Sequence, residues 1–216
     1  FSQGLQLKMR SPERYPGNPV VARGPVGSVD SWAVQFYGSI IKEDDLYRMW
    51  YCAVPIKDRK DPNVAHSERW RVAYAESKNG IHWTKPELGL VDYRGSTENN
   101  LVKMEPFLGT LNLKVIKDED DPDPNRRYKM GAHVWFPRND RLVGNLAPYV
   151  SPDGYNWTYV GGELDPVEAN VPTEQTVLPS IHIEPVGGMF KWNDTFYTSG
   201  QNAVAAMRPY HGRVTR

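Results

Sequence analysis

The chain has 216 residues, 39% of them hydrophobic and 12% aromatic, and its 26 Lys and Arg balance 26 Asp and Glu. Zero net charge leaves no electrostatic footprint for nucleic acid or an anionic membrane, so neither is expected as a partner. No apolar run reaches the length of a membrane-spanning helix, and the single cysteine, Cys52, excludes an internal disulfide.

No charged region followed by an apolar stretch opens the chain, so no signal peptide is visible; one removed before Phe1 would leave this same start. Cytosol, periplasm and secretion stay open, with periplasm or secretion slightly preferred. Residues 1–29 read as an extension. Strand signals then follow in order, aromatic and β-branched runs broken by turn residues: Trp32 to Ile41, Tyr47 to Val54, Trp70 to Ala75, Leu113 to Ile116, Tyr128 to Phe136 and Leu142 to Val150. Helix-period segments are nearly absent, and 18 Pro and 18 Gly punctuate the chain. Cys52 lies in an apolar strand and reads as a small buried hydrophobe.

One phrase occurs twice. Ser77-Lys78-Asn79-Gly80-Ile81-His82-Trp83-Thr84 is matched by Ser151-Pro152-Asp153-Gly154-Tyr155-Asn156-Trp157-Thr158. Each follows a strand-like phrase, Tyr47-Arg48-Met49 in one case and Tyr128-Lys129-Met130 in the other. Asn-Gly and Asp-Gly predict two-residue hairpin turns of the primed type, and each Trp is placed to pin its strand onto the next layer. Self-similarity at a long period marks a repeat architecture. The unit has four strands, the last short and carrying Trp-Thr. A third copy begins near Ile181, with Lys191-Trp192-Asn193-Asp194-Thr195 parallel to Lys42-Glu43-Asp44-Asp45-Leu46.

Blade 1 is expected over 30–98, blade 2 over 99–170 and the start of blade 3 over 171–216. A β-sandwich also shows short strands with regular turns, but the shared order of features favours radial repetition, a β-propeller. Pro55 to Glu68 has no counterpart in the second copy and reads as an inserted loop. Lys117 to Arg127 is acidic and reads as a solvated connection; it lacks the Gly and terminal Glu of a calcium loop.

The chain resembles the five-bladed β-propeller superfamily of arabinanases, levansucrases and invertases, and within it an invertase-like glycoside hydrolase branch. Tyr47-Arg48-Met49-Trp50-Tyr51, Ala73 to Trp83, Lys85-Pro86-Glu87-Leu88-Gly89, Asn99-Asn100-Leu101-Val102 and Arg127-Tyr128-Lys129 carry the resemblance. It implies a single propeller of four-stranded blades, of which this chain holds about two and a half. The remaining blades are expected from further sequence or from another chain, because a cut array leaves an apolar face and a strand edge unpaired.

The resemblance implies a carbohydrate substrate and hydrolysis by acidic residues near the axis. One is a nucleophile or base in the first blade, one a transition-state stabiliser in the second, and one an acid in the third. Asp30, in Ser28-Val29-Asp30-Ser31-Trp32, is the candidate nucleophile or base, against the commoner reading of a turn carboxylate. Glu184, in Ile183-Glu184-Pro185-Val186, is the candidate acid, its apolar neighbours suited to raising its pKa. The second blade departs from the pattern, because Thr110-Leu111-Asn112-Leu113 carries a neutral Asn112 where an acid is expected. The first blade likewise lacks the Asn-Asp-Pro phrase of the invertases.

Candidate sugar contacts are Trp32, Asn112, His133, His182 and Gln201, with Trp135 and Trp192 as further stacking platforms. For His133 a hydrogen-bonded core histidine is the simpler reading. Two histidines on one unit make no metal site without a third ligand, so neither metal nor cofactor is expected. A non-catalytic propeller that binds carbohydrate or protein is the alternative, and Asn112 supports it. A glycoside phosphorylase would need a cationic cluster for phosphate, and none is evident.

Overall fold

The computed structural model describes residues 8, 10–56, 68–106, 109–138, 141–161, 183–202 and 212–215. All of its long elements are strands, arranged in three sheets. The first is an antiparallel meander of β1 (Ala33–Glu43), β2 (Leu46–Val54) and β3 (Arg71–Ser77). In the second, β4 (Lys103–Glu105) lies parallel on the outer edge, and β5 (Gly109–Lys117), β6 (Tyr128–Arg138), β7 (Arg141–Ser151) and β8 (Asn156–Tyr159) form the meander. The third contains β9 (Ile183–Trp192), β10 (Thr195–Asn202) and β11 (Gly212–Thr215).

Each strand expected before residue 151 is present, most within two residues of its expected ends. The predicted fourth strand is real in the second sheet, where β8 carries Trp157-Thr158. In the first sheet it shrinks to one bridge between Thr84 and Glu76. Pro86 follows Thr84 two residues later and cannot donate to a ladder. The inserted loop lies almost wholly in 57–67, outside the described residues.

The sheets stack in sequence, each on the next, instead of pairing as two layers. One core joins the first and second sheets, with Trp50, Val72 and Tyr74 facing Leu113, Val115, Met130, Ala132 and Val134. The second sheet's other face meets the third, where Met189 approaches Gly131 and Lys191 pairs with Asp118 at 2.9 Å. First strands lie side by side: Lys114 Nζ donates to the Gly38 carbonyl at 2.9 Å and the Val115 N–H to Ser39 Oγ at 2.8 Å. Gly38 is required there, since a Cβ would sit 1.7 Å from the Trp50 carbonyl oxygen. Sheets fanned about their first strands are consistent with part of a β-propeller.

The repeated phrase folds twice into one turn, though not the turn expected. In a primed turn both central residues have positive φ. Here only the glycines do, Gly80 at 72° and Gly154 at 81°. Ser77 Oγ accepts from the N–H groups of Asn79 and Gly80, and Asn79 Oδ1 accepts from Ile81 and His82. Ser151 and Asp153 repeat the pattern with Gly154, Tyr155 and Asn156. The side-chain oxygens gather the turn's N–H groups, so Asn79 and Asp153 need no left-handed backbone. Trp83 and Trp157 each donate their indole N–H to the glycine carbonyl three residues earlier. Two-residue turns with positive φ occur instead at Asp44-Asp45 and Asn193-Asp194, where Asp44 has φ 50° and Asn193 and Asp194 have 46° and 55°.

The second turn is also where the first sheet grips the second. Arg48 is buried among the rings of Trp50, Tyr74, Tyr128 and Tyr155, each centroid 4.8–5.4 Å from its guanidinium carbon. It donates to Tyr74 Oη at 3.1 Å, Tyr128 Oη at 2.6 Å and the Asp153 carbonyl at 2.5 Å, and pairs with Glu43 at 3.4 Å. Trp50 adds its indole N–H to the Gly154 carbonyl at 2.7 Å. Removing the cation would strand a buried carboxylate and a buried carbonyl. Arg48→Met is therefore expected to lower the unfolding free energy by about 3–5 kcal/mol in urea titration; a loss below about 1 kcal/mol would show the grip to be incidental.

Lys129, one sheet on, occupies the place of Arg48. Its ammonium lies 5.3 Å from the Phe196 centroid and binds Asp118 at 2.9 Å and Asp121 at 2.8 Å. Burial pushes the Asp118 carboxyl up, but hydrogen bonds from Lys129 and Lys191 outweigh it and hold it below the usual range. Hydrogen bonding from Lys129 brings Asp121 to about 2. Both folded values lie under the unfolded carboxylate value of about 3.9. The stability they contribute is therefore complete above that value and lost as pH falls toward about 2. The urea midpoint is expected to drop between about pH 5 and about pH 2.5. Asp118→Asn should flatten part of that slope; an unchanged slope would remove Asp118 from the account.

Candidate functional site

A cavity of about 490 Å³ opens where the three first strands meet. Phe36 and Ile40 line it from β1, Lys114 from β5, and Gly188 and Met189 from β9. Phe36 is 56% exposed, and no atom stands within 4 Å of where a Gly188 Cβ would be. Burial pushes the Lys114 ammonium's pKa down. The volume suits a small ligand, and the wall combines one apolar ring, one cation and open backbone.

Each sheet carries a β-bulge near this hub. The ladder slips between Gln35 and Ser39 in β1, between Thr110 and Asn112 in β5, and between Ser199 and Gln201 in β10. Bulges interrupt pairing and re-aim neighbouring side chains. Beside each lies one cross-strand pair: Gln35 with Cys52, Asn112 with His133, and Glu184 with Gln201. Counted along the second strands, Cys52, His133 and Gln201 are the sixth residues from Tyr47, Tyr128 and Phe196. Four predicted residues thus fall on one ring of equivalent positions. Gln35 belongs to that ring and escaped notice; counting register through the repeat would have found it. Gln35 Oε1 and Asn112 Oδ1 are enclosed and accept no hydrogen bond among the described residues. Asn112 and His133 are fully buried.

Asp30 lies elsewhere. Its carboxylate is on the Tyr51 face of the first sheet, opposite the face carrying Arg48, and the residue is only 1% exposed. Tyr51 Oη donates to it at 2.7 Å, the Gly24 N–H at 3.1 Å and Ser28 Oγ at 3.3 Å, and Lys85 completes the set as an ion pair. Asn100 Nδ2 extends the network to Tyr51 Oη at 2.9 Å. Burial and the neighbouring carboxylate push the Tyr51 phenol's pKa up. The network fastens residues 21–30 over the apolar residues Met49, Ala53, Ala73 and Ala75.

Trp32 starts the first strand, 40% exposed, with its N–H on the Val54 carbonyl at 3.0 Å. Trp192 is exposed on the third sheet, away from the cavity wall. Trp135 lies on β6, opposite Gly144. His182 falls outside the described residues. No cluster of three or more metal-ligating side chains occurs among the described residues.

No family model matches the chain, and no curated protein matches its sequence. Solved structures do. A candidate glycoside hydrolase from Bacteroides ovatus is 20% identical with TM-score 0.50, over 89% of this chain and 54% of that one. A second candidate glycoside hydrolase, from Parabacteroides distasonis, is 18% identical with TM-score 0.46, over 88% and 56%. A structure from the GH130 family of mannoside phosphorylases, which contains glycoside hydrolases that target β-1,2 mannosidic linkages in Candida mannan, is 18% identical with TM-score 0.48, over 87% and 52%. The likeness to the first is one of fold. The chain spans about half the length of these structures.

The Asp30 network gives its own test. Lys85→Met would leave a buried carboxylate uncompensated, at a cost of about 3–5 kcal/mol in unfolding free energy. Adding Asp30→Asn should recover part of that loss, because the two side chains are coupled. Strict additivity in the double-mutant cycle would show that the pair does not interact.

Proposed function

We propose that this chain is part of a glycoside hydrolase of the five-bladed, invertase-like type, binding carbohydrate at the hub where its first strands converge. The single observation that carries the reading is the ring of polar positions, Gln35, Asn112 and Glu184, beside bulges on three successive first strands. The fold likeness to a candidate glycoside hydrolase supports it. In this reading blade 1 covers 30–98, blade 2 covers 99–170 and blade 3 begins at 171. Trp32 and Phe36 offer ring faces to a sugar, and the amides of Gln35, Asn112 and Gln201 bond its hydroxyls, with His133 and His182 beside them. Glu184 protonates the leaving oxygen. Asp30, the first-blade carboxylate, serves as nucleophile or base only if the residue 21–30 segment lifts to admit a substrate.

A second reading has its own observation. Asp30 is enclosed and fully hydrogen-bonded, and the first two ring positions hold neutral amides, so one carboxylate alone stands on the ring. A site of that kind binds sugar without cleaving it, because hydrolysis usually requires two carboxyl groups across the bond.

The deciding experiment incubates the natural polypeptide with a broad oligosaccharide panel, with and without inorganic phosphate. Release of reducing sugar without phosphate, lowered about 10²–10⁴-fold by Glu184→Gln, supports hydrolysis. Binding by calorimetry without release in either condition supports the second reading. Release that needs phosphate makes the protein a phosphorylase and overturns both, and absence of any binding or release removes carbohydrate altogether.

A further inference from the structure

The three sheets present equivalent positions to whatever lies next along the array. In the first sheet these are Ile41, Glu43 and Arg48, and the second sheet covers them. In the second they are Ile116, Asp118 and Lys129, and the third sheet reaches them through Lys191 and Phe196. In the third they are Phe190, Trp192 and Tyr197, because Tyr197 pairs with Phe190 just as Arg48 pairs with Ile41 and Lys129 with Ile116. Here the cation and the acid are both replaced by aromatic rings. Phe190 and Tyr197 stack at 5.2 Å with planes 10° apart, and Trp192 lies 6.2 Å from Tyr197. Phe190 is 51% exposed and Trp192 is 62% exposed. An exposed aromatic cluster of this kind marks an interaction surface.

We propose that this face receives a fourth β-sheet of the same polypeptide, through an apolar contact in place of the ionic grips used twice before. Register supports that occupant, since both equivalent faces are covered by the following sheet. The matched fold extends well past this chain's share, 54% of the Bacteroides ovatus structure. Head-to-tail packing of a second copy is disfavoured by the chain itself. The face such a copy would offer, around Tyr51 and Ala75, is already covered by its own Val21, Val29, Trp83 and Tyr93.

The test is thiol accessibility in the natural polypeptide, which is independent of any enzymatic activity. Trp192→Cys and, separately, Tyr197→Cys are exposed to a maleimide, and Asp194→Cys, at a side chain 98% exposed, provides the reference rate. Cys52 is buried and stays silent. Covered by a fourth sheet, positions 192 and 197 should react at least about 100-fold more slowly than 194 at every protein concentration, modification waiting on local opening. Protection that grows with protein concentration would assign the face to a second copy and overturn the proposal. Reaction as fast as at 194 would overturn it too, leaving the face open to solvent. Two variants guard against one that fails to fold.

Discussion

A cation placed at the second residue of a sheet's second strand holds this array together. Arg48 is long enough to leave its own sheet, pass between four aromatic rings and end on the backbone of the next sheet's turn. Guanidinium suits that place because its flat, weakly hydrated surface stacks on rings while its edges donate in several directions. The turn it grips is built around Gly154, where a Cβ would lie 2.7 Å from Trp50 and 2.9 Å from Arg48. Glycine is needed there twice over, for its positive φ and for the close approach of the preceding sheet. At Gly80, the same place one unit earlier, only the φ requirement remains, since nothing lies within 4 Å of its would-be Cβ.

Three successive grips show how one repeat can vary its chemistry while keeping its geometry. Arg48 works through rings and hydroxyls, and Lys129 through two carboxylates and a single ring. An ammonium makes a compact, strongly hydrated charge, so the second grip depends on acids that the acidic connection after β5 supplies. Tyr197, in the third place, carries no charge. The array therefore has unlike ends. Its leading face is aromatic and open, while its first face is sealed by residues 21–30 and the stretch from Trp83 to Leu101. Asp30 belongs to that seal.

Most of the strands were legible in the sequence because aromatic and β-branched runs alternate with strong turn residues. The repeat was legible because Ser-x-Asn/Asp-Gly-x-x-Trp encodes a turn whose every polar atom has an assigned partner. Its geometry was not, since Asn-Gly and Asp-Gly fit a primed hairpin equally well. Only the packed structure shows Ser77, Asn79, Ser151 and Asp153 oxygens gathering the turn's N–H groups. The site was partly legible. Asn112, His133, Glu184 and Gln201 were singled out separately and fall on one ring of equivalent positions. Asp30 was chosen for its acidity and its place before a strand, and neither feature reports which face of a sheet it seals. Gln35 carries no charge to attract notice, and the bulge that shifts its register cannot be seen without the partner strand.

Chemistry at the hub follows from this geometry more than from any single acidic residue. Strands fanned around a centre bring residues far apart in sequence to one small ring, and a bulge beside each ring position interrupts the ladder locally. Two ring positions hold amides with an acceptor oxygen unpaired among the described residues. Such an oxygen costs free energy if it stays enclosed and unsatisfied, so a donor that reaches it is bound with advantage. Sugar hydroxyls are donors of this kind, and they also present the apolar faces that Trp32 and Phe36 can stack upon. A buried neutral amide beside a cation such as Lys114 would in turn oppose protonated or cationic ligands. The ring thus selects for neutral or anionic polyols before any question of bond cleavage arises, and cleavage then depends on how many carboxylates the rest of the hub supplies.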